Sequence, residues 1–237
     1  MDNVVLLNKT IIMEKKYFKF QCANIENLSA IAECKIRFSC LSFFNDIFEG
    51  YVEFRNVNNE PMDVYESYIN DFDAKVRRRR FCCLASSDEP NYVGTCDLMW
   101  AHYANGHKGF CVEYNDKILN DFPKSNTGES NTSIEVDYMD KVPVPEIYVG
   151  ENINDSLFHK IISKKNRQWE YEKEVRLVLR NENEYPINRE AINAIYLGAK
   201  IDKLAERTLV GIAKKFEVPC FKMGLSDSYY ELVKNPL

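Results

Sequence analysis

Residues 164–180 read KKNRQWEYEKEVRLVLR. On an extended chain, successive side chains point to opposite faces. Period 2 therefore places Glu170, Glu172, Glu174 and Arg176 on one side, and Trp169, Tyr171, Val175, Leu177 and Leu179 on the other. The expectation is a strand with one core face and one acidic face. Carboxylates in such a row repel one another unless cations or hydroxyls stand opposite, so the acidic face is either a solvated sheet surface with cross-strand charge pairs or a site. A third reading is structural. Trp169 then anchors the core and Glu172 pairs with Arg176 inside it, and losing one partner would leave an uncompensated buried charge.

Working outward, the chain alternates short apolar runs with amphipathic segments. NVVLL, TIIM, YFKF, RFCCLAS (80–86), FCVEYN (110–115), IEVDYMD (134–140), NAIYLG (193–198) and VPCFKM (218–223) read as strands. IRFSCLSFFND (36–46) alternates and ends in a turn at Asn45-Asp46. Helices are expected where apolar residues recur at helical spacing. They cover 24–35, capped by Asn24 or Asn27; 61–80, with Val64, Tyr68 and Phe72 on one stripe; and a segment from Cys96 to Asn105-Gly106. A further helix spans 154–169, with Leu157, Ile161 and Ile162 inward. The last spans 200–217, with Ile201, Leu204, Ala205, Leu209, Ile212 and Phe216 on one face. SSDEPNYVGT (86–95) is a loop by its turn residues, and residues 120–133 are the clearest loop. With no repeat and no internal linker, the pattern predicts one α+β domain over 1–237, a mixed or split β-sheet flanked by helices.

Composition bounds the function. The 237 residues are 45% hydrophobic and 28% charged, enough for a sizeable core, and a net charge of −5 gives no general attraction to nucleic acid or anionic membrane. None of the eight cysteines forms a C-x-x-C pair, and most lie in apolar runs, so they read as reduced core residues and no metal site is expected. The first residues lack a basic segment followed by a long apolar one, and no apolar run approaches a membrane span, so a cytoplasmic protein is expected.

Three further stretches carry chemistry. In LMWAHYANGHKGFCVEY (98–114), a helix places His102 beside Trp100 and Tyr103; His102 and His107 do not have the spacing of a helical metal pair. Imidazole titrates near neutrality, which suits proton transfer or anion binding, while the bland alternative is a satisfied core histidine. In FSCLSFFNDIFEG (38–50), Asn45 and Asp46 form a turn and Glu49 follows; turn chemistry and a site are both open. Arg77, Arg78, Arg79 and Arg80 end a helix, either as a solvated terminus or as a phosphate-binding patch for nucleotide or nucleic acid. P-loop, G-x-G-x-x-G and G-x-S-x-G motifs are absent. In EYEKE the residue two before Lys173 is Tyr171, which excludes a Glu-x-Lys nuclease core.

YFKF, FSCLSFFNDIFEG, CCLAS, LMWAHYANGHKGFCVEY, VDYMD, KKNRQWEYEKEVRL and IYLG occur in the order seen in an uncharacterised bacterial family, domain of unknown function 2971, and the resemblance covers residues 17–200. One departure is Ile47, where that family usually has Pro after Asn-Asp. The resemblance implies a mobile or defence-associated setting, such as a toxin or phage-defence effector. More distantly, EYEKE on a late strand is similar to the Glu-x-Glu element of the ADP-ribosyltransferase superfamily. That likeness implies a split mixed sheet and an enzyme that transfers or hydrolyses at the glycosidic carbon of NAD or another nucleotide. It casts Glu172 and Glu174 as the electrostatic pair, Tyr103 and His102 as catalytic-pocket residues, and Tyr17, Lys19, Asn45, Trp100 and Arg176 as nucleotide-binding residues. The alternative is a nucleotide- or nucleic-acid-binding module without turnover that uses Arg77–Arg80, and a protein partner is open.

Overall fold

Eight strands form one continuous sheet: β1 (Lys16–Gln21), β2 (Arg79–Ser87), β3 (Phe110–Tyr114), β4 (Thr132–Glu135), β5 (Glu174–Arg180), β6 (Ile192–Leu197), β7 (Cys220–Leu225) and β8 (Leu232–Pro236). Their spatial order is β8-β7-β6-β3-β1-β2-β5-β4. This computed structural model describes residues 14–56, 59–122, 132–143, 146–147 and 155–237. All neighbouring strands are antiparallel except β6 and β7, which run parallel. A parallel pair needs a crossover, and helix α7 (Lys203–Phe216) supplies it. The sheet is therefore mixed and flanked by helices, as the alternation in sequence implies.

The two faces of the sheet are built differently. On one face, Leu84 of β2, Val112 and Tyr114 of β3, Val175, Leu177 and Leu179 of β5 and Ile195 of β6 form a single apolar cluster. Helix α1 (Ile25–Ala32) adds Ile31 to it, the short α5 (Lys117–Asn120) adds Ile118, and α7 adds Leu209, Ile212 and Phe216. Asn24 caps α1 through its side chain, and Asp202 caps α7 by accepting from Leu204 N and Ala205 N.

The opposite face carries two separate apolar clusters. Helix α2 (Met62–Arg77) brings Phe72, and α6 (Asp155–Ile162) brings Phe158, Ile161 and Ile162, onto Phe81 and Val178. Helices α3 (Tyr92–Thr95) and α4 (Asp97–Tyr103) bring Tyr92, Val93, Met99 and Trp100 onto Phe18, Phe20 and Tyr196. Polar side chains project from the sheet between these two clusters.

Several expectations are corrected. Residues 164–180 are not one strand: Lys164–Asn166 pairs in parallel with Asp137–Met139, Arg167–Glu172 is a 3-10 helix, and only β5 is extended sheet. Asn166 accepts from Gln168 N and so caps the 3-10 turn, which ends at Lys173 in the left-handed region (φ 46). The segment 36–46 is strand only for Lys35–Arg37, followed by an isolated bridge and a 3-10 turn at Leu41–Phe43. A short helix lies within the expected loop 86–95, and the helix expected over 154–169 stops at Ile162. The arginine run does not end a helix together: Arg77 does, Arg78 caps it, and Arg79 and Arg80 begin β2. NVVLL, TIIM and most of the 120–133 loop lie outside the described residues.

Leu204 is also misplaced by periodicity, since it is 76% exposed whereas Leu177 is fully buried. Leu177→Ala is expected to lower the unfolding free energy by about 2–5 kcal/mol. Leu204→Ala should change it by less than about 0.5 kcal/mol. Urea unfolding midpoints of the two variants test this placement of the core.

Candidate functional site

The polar gap between the two apolar clusters holds a buried charge network. Its centre is Lys165, whose ammonium lies 2.6 Å from Glu172 Oε2, 2.9 Å from Glu174 Oε2 and 3.1 Å from Glu49 Oε1. An ammonium has three N–H groups, so each one meets a different carboxylate. Arg176 closes the other side. Its Nε donates to Glu174 Oε1 (2.7 Å), one terminal nitrogen lies within 2.9 Å of both Glu49 oxygens, and the other donates to the Ile162 carbonyl (2.7 Å). Arg176 is completely buried.

Local structure explains the convergence. Glu174 and Arg176 project from β5 on the same face as Cys83 and Ala85, their neighbours on β2. Glu172 ends the 3-10 helix, and the left-handed Lys173 turns the chain so that Glu172 and Glu174 meet one ammonium. Backbone hydrogen bonds hold Lys173 on both sides: its N–H donates to Glu170 O, and its carbonyl accepts from Ser86 N. Glu49 arrives from a turn in which Asp46 Oδ1 accepts from Phe48 N. Gly50 follows at φ 70, in the left-handed region where a residue with a side chain would be strained.

A cavity of about 180 Å³ opens beside this network. Its polar wall is Asn45, Asp46, Glu49, Lys165, Glu172 and Glu174, and its apolar wall includes Phe18, Phe20, Phe44, Phe81 and Met99. Tyr103 stands between the two walls, and its hydroxyl donates to Glu172 Oε1.

The protonation pattern follows from the geometry. Burial would oppose the charge on Lys165, but the three carboxylates outweigh it and hold its pKa above the ordinary lysine value. Glu174 is fully buried, yet Arg176 and Lys165 pull its carboxyl below the usual range. Glu172 behaves oppositely: burial, with Glu174 adding to it, pushes its carboxyl up to about 7 against the pull of Lys165. Burial raises Glu49 as well. Three carboxylates meet two cations, so the surplus proton belongs to the less compensated members.

The other residues singled out in the sequence are placed as follows. Asn45 and Lys19 border the cavity, although the Lys19 ammonium points to Arg37 O (3.3 Å) and Cys82 Sγ (3.1 Å). Tyr17 lies in the core on the opposite face of the sheet. Trp100 is core, and its indole N–H donates to Val93 O at 2.8 Å. His102 is exposed, edge-on to Tyr103 and Trp169, and does not line the cavity. Arg176 pairs with Glu174 and Glu49 rather than with Glu172, so its guanidinium is not available to a pyrophosphate. Arg79 is buried against Phe158, and Arg80 bonds Asn183 and nearby carbonyls, so the four arginines do not form one patch. The network also includes two residues the sequence did not single out as site residues, Glu49 and Lys165. Their only signals were an acid after the Asn-Asp turn and a lysine on the inward side of a short alternating segment.

Residues 99–177 match the family described as Protein of unknown function (DUF2971). The matched stretch contains Tyr103, Lys165, Glu172, Glu174 and Arg176, while Glu49 lies outside it. No curated protein and no solved structure matches the chain. Among the described residues, no helix is long and apolar enough to cross a membrane.

The two carboxyls make opposite contributions to stability as pH changes. Glu172 binds its proton more tightly folded than unfolded, so its ionisation destabilises the fold as pH rises from about 4.5 towards 7. Glu174 binds its proton less tightly folded, so it contributes stability above about 4.5 that is lost as pH falls through its lower folded value. Glu172→Gln should therefore gain stability relative to the parent as pH rises from about 5 to about 8, while Glu174→Gln should lose its relative penalty in acid. Urea midpoints measured across pH check both signs. Arg176→Met should cost about 3–5 kcal/mol near neutral pH, because it strands Glu49 and Glu174.

Proposed function

We propose that the cavity is the catalytic site of an enzyme acting at the glycosidic carbon of NAD or a related nucleotide, as the likeness to ADP-ribosyltransferases implies. The observation that carries this reading is Glu172. It is a buried carboxyl on an aromatic-walled cavity, hydrogen-bonded by Tyr103 and titrating near 7. A carboxyl poised near neutrality suits general acid–base work.

The chemistry balances with the groups present. In a nicotinamide N-glycoside the ring nitrogen already carries positive charge. When the bond from C1′ to that nitrogen breaks, the electron pair stays on nitrogen and neutral nicotinamide leaves without an acid. Water attacks C1′ and gives a proton to ionised Glu172, which later releases it to solvent. Positive charge builds on the ribose in the transition state, and the ionised carboxylates facing the cavity stabilise it more there than in the ground state. The two-carboxylate logic of glycosidases is the nearest analogue. Phe18, Phe20 and Phe81 offer apolar and stacking surface for a base. An acceptor nucleophile in place of water would make the reaction a transfer, and consumption or transfer of this kind is the chemistry of a toxin or defence effector.

Glu172→Gln should lower kcat for nicotinamide release from NAD by about 10²–10⁴-fold with little change in KM. In the parent protein, kcat/KM should rise with pH through about 7, because the base must be ionised. Release is followed by chromatography, with circular dichroism confirming that the variant is folded. Equal release by the parent and by folded Glu172→Gln would refute the reading.

A further inference from the structure

A second cavity of about 170 Å³ shares Lys165 with the first. The chain 46–51 borders both: Asp46 and Glu49 line the first cavity, and Phe48 and Tyr51 line the second. Their chemistries differ. The first is walled by three carboxylates whose cations are already committed. The second is lined by Lys141, Lys164 and Lys165, with Asp140 as its acidic residue. Asp140 is taken by Arg167 Nε at 3.1 and 3.2 Å, and Lys164 pairs with Asp137. Lys141 is exposed and forms no ion pair among the described residues. The Phe48 and Tyr51 rings meet edge to face at 6.2 Å and remain about half exposed (48% and 54%).

We propose that this second cavity binds the phosphate-bearing nucleotide half of the substrate whose glycosidic carbon occupies the first. The inference rests on the catalytic reading of the first cavity and narrows its substrate class to nucleoside phosphates and dinucleotides. Two constraints argue for it. At about 180 Å³ the first cavity falls below the roughly 300–1,000 Å³ of sites that enclose a drug-sized ligand, so a dinucleotide needs adjoining space. A phosphate is also repelled by the first cavity, where three carboxylates face two cations and Lys165 has no N–H to spare. Lys141 offers a free ammonium for a phosphate oxygen, and an exposed aromatic pair beside lysines is the arrangement on which a base stacks.

Calorimetric titration of the full chain with AMP and with adenosine tests the site without requiring turnover. AMP should bind at least about tenfold more tightly than adenosine, since a charge-assisted phosphate contact contributes that much. Lys141→Glu, at an exposed position, should abolish the preference and leave adenosine binding unchanged. Tyr51→Ala should weaken both ligands by a similar factor. Equal affinity for AMP and adenosine, no binding of either, or a preference that survives Lys141→Glu overturns the proposal. Nicotinamide release from NAD and from nicotinamide riboside separates this from the catalytic reading. Release from both with equal KM, unaffected by Lys141→Glu, sinks the second cavity alone. Absence of release from either, alongside Lys141-dependent AMP binding, sinks the catalysis and leaves a nucleotide-binding site.

Discussion

The structure depends on one constraint: five charged side chains, three acidic and two basic, share a space nearly closed to solvent. Glu49, Lys165, Glu172, Glu174 and Arg176 are each at most 5% exposed at the side chain. Buried charge is tolerated only when paired and fully hydrogen-bonded. Arg176 and Lys165 satisfy Glu174 on both oxygens, so it stays ionised. Glu172 receives one cation and, on its other oxygen, the neutral Tyr103 hydroxyl. Of the three carboxyls that border the cavity, Glu172 has the least cation contact, and burial raises its pKa to about 7. The raised pKa of Glu172 follows from burial with incomplete neutralisation.

The same constraint bears on the fold. Glu174 and Arg176 point to the divided face of the sheet, while Val175, Leu177 and Leu179 point to the continuous apolar face. Slipping β5 by one residue against β2 would drive both charges into that core, so the network opposes the slip strongly. The gap between the two clusters on the divided face is thus a requirement of the network. The network also joins segments far apart in sequence: Glu49 meets Arg176 across 127 residues.

Periodicity made part of this legible. The alternation in β5 and the apolar repeat of α7 both hold, apart from Leu204. Glu172, Glu174, Asn45 and Tyr103 were singled out and do border one cavity. The failures have local causes. Period 2 broke at Arg167–Glu172 because Asn166 caps a 3-10 turn and Lys173 adopts a left-handed conformation that no glycine announces. On α4, Met99 and Tyr103 are four apart and share the cavity side, whereas Trp100 turns into the core and His102 to solvent. Arg79 read as part of a basic run because a sequence does not show that a strand begins there and buries it. Lys165 carries no distinct mark in the sequence, and Glu49 carries only its place after the Asn-Asp turn, because their role exists only once the chain has folded.

The extent of the family match bears on how the site is assembled. Within residues 99–177, Glu172 and Glu174 face Lys165 and Arg176, two negative charges against two positive. That set alone balances in charge, although Arg176 reaches Glu174 and not Glu172. Glu49 comes from outside the matched stretch and draws on Lys165 and Arg176 together. This third acid shares the Lys165 ammonium with Glu172 and leaves the network one negative charge in surplus, while burial, with Glu174 adding to it, raises the Glu172 carboxyl. The turn at residues 45–50, which borders both cavities, therefore does more than cover the network. It supplies the carboxylate that takes one Lys165 N–H and clamps Arg176.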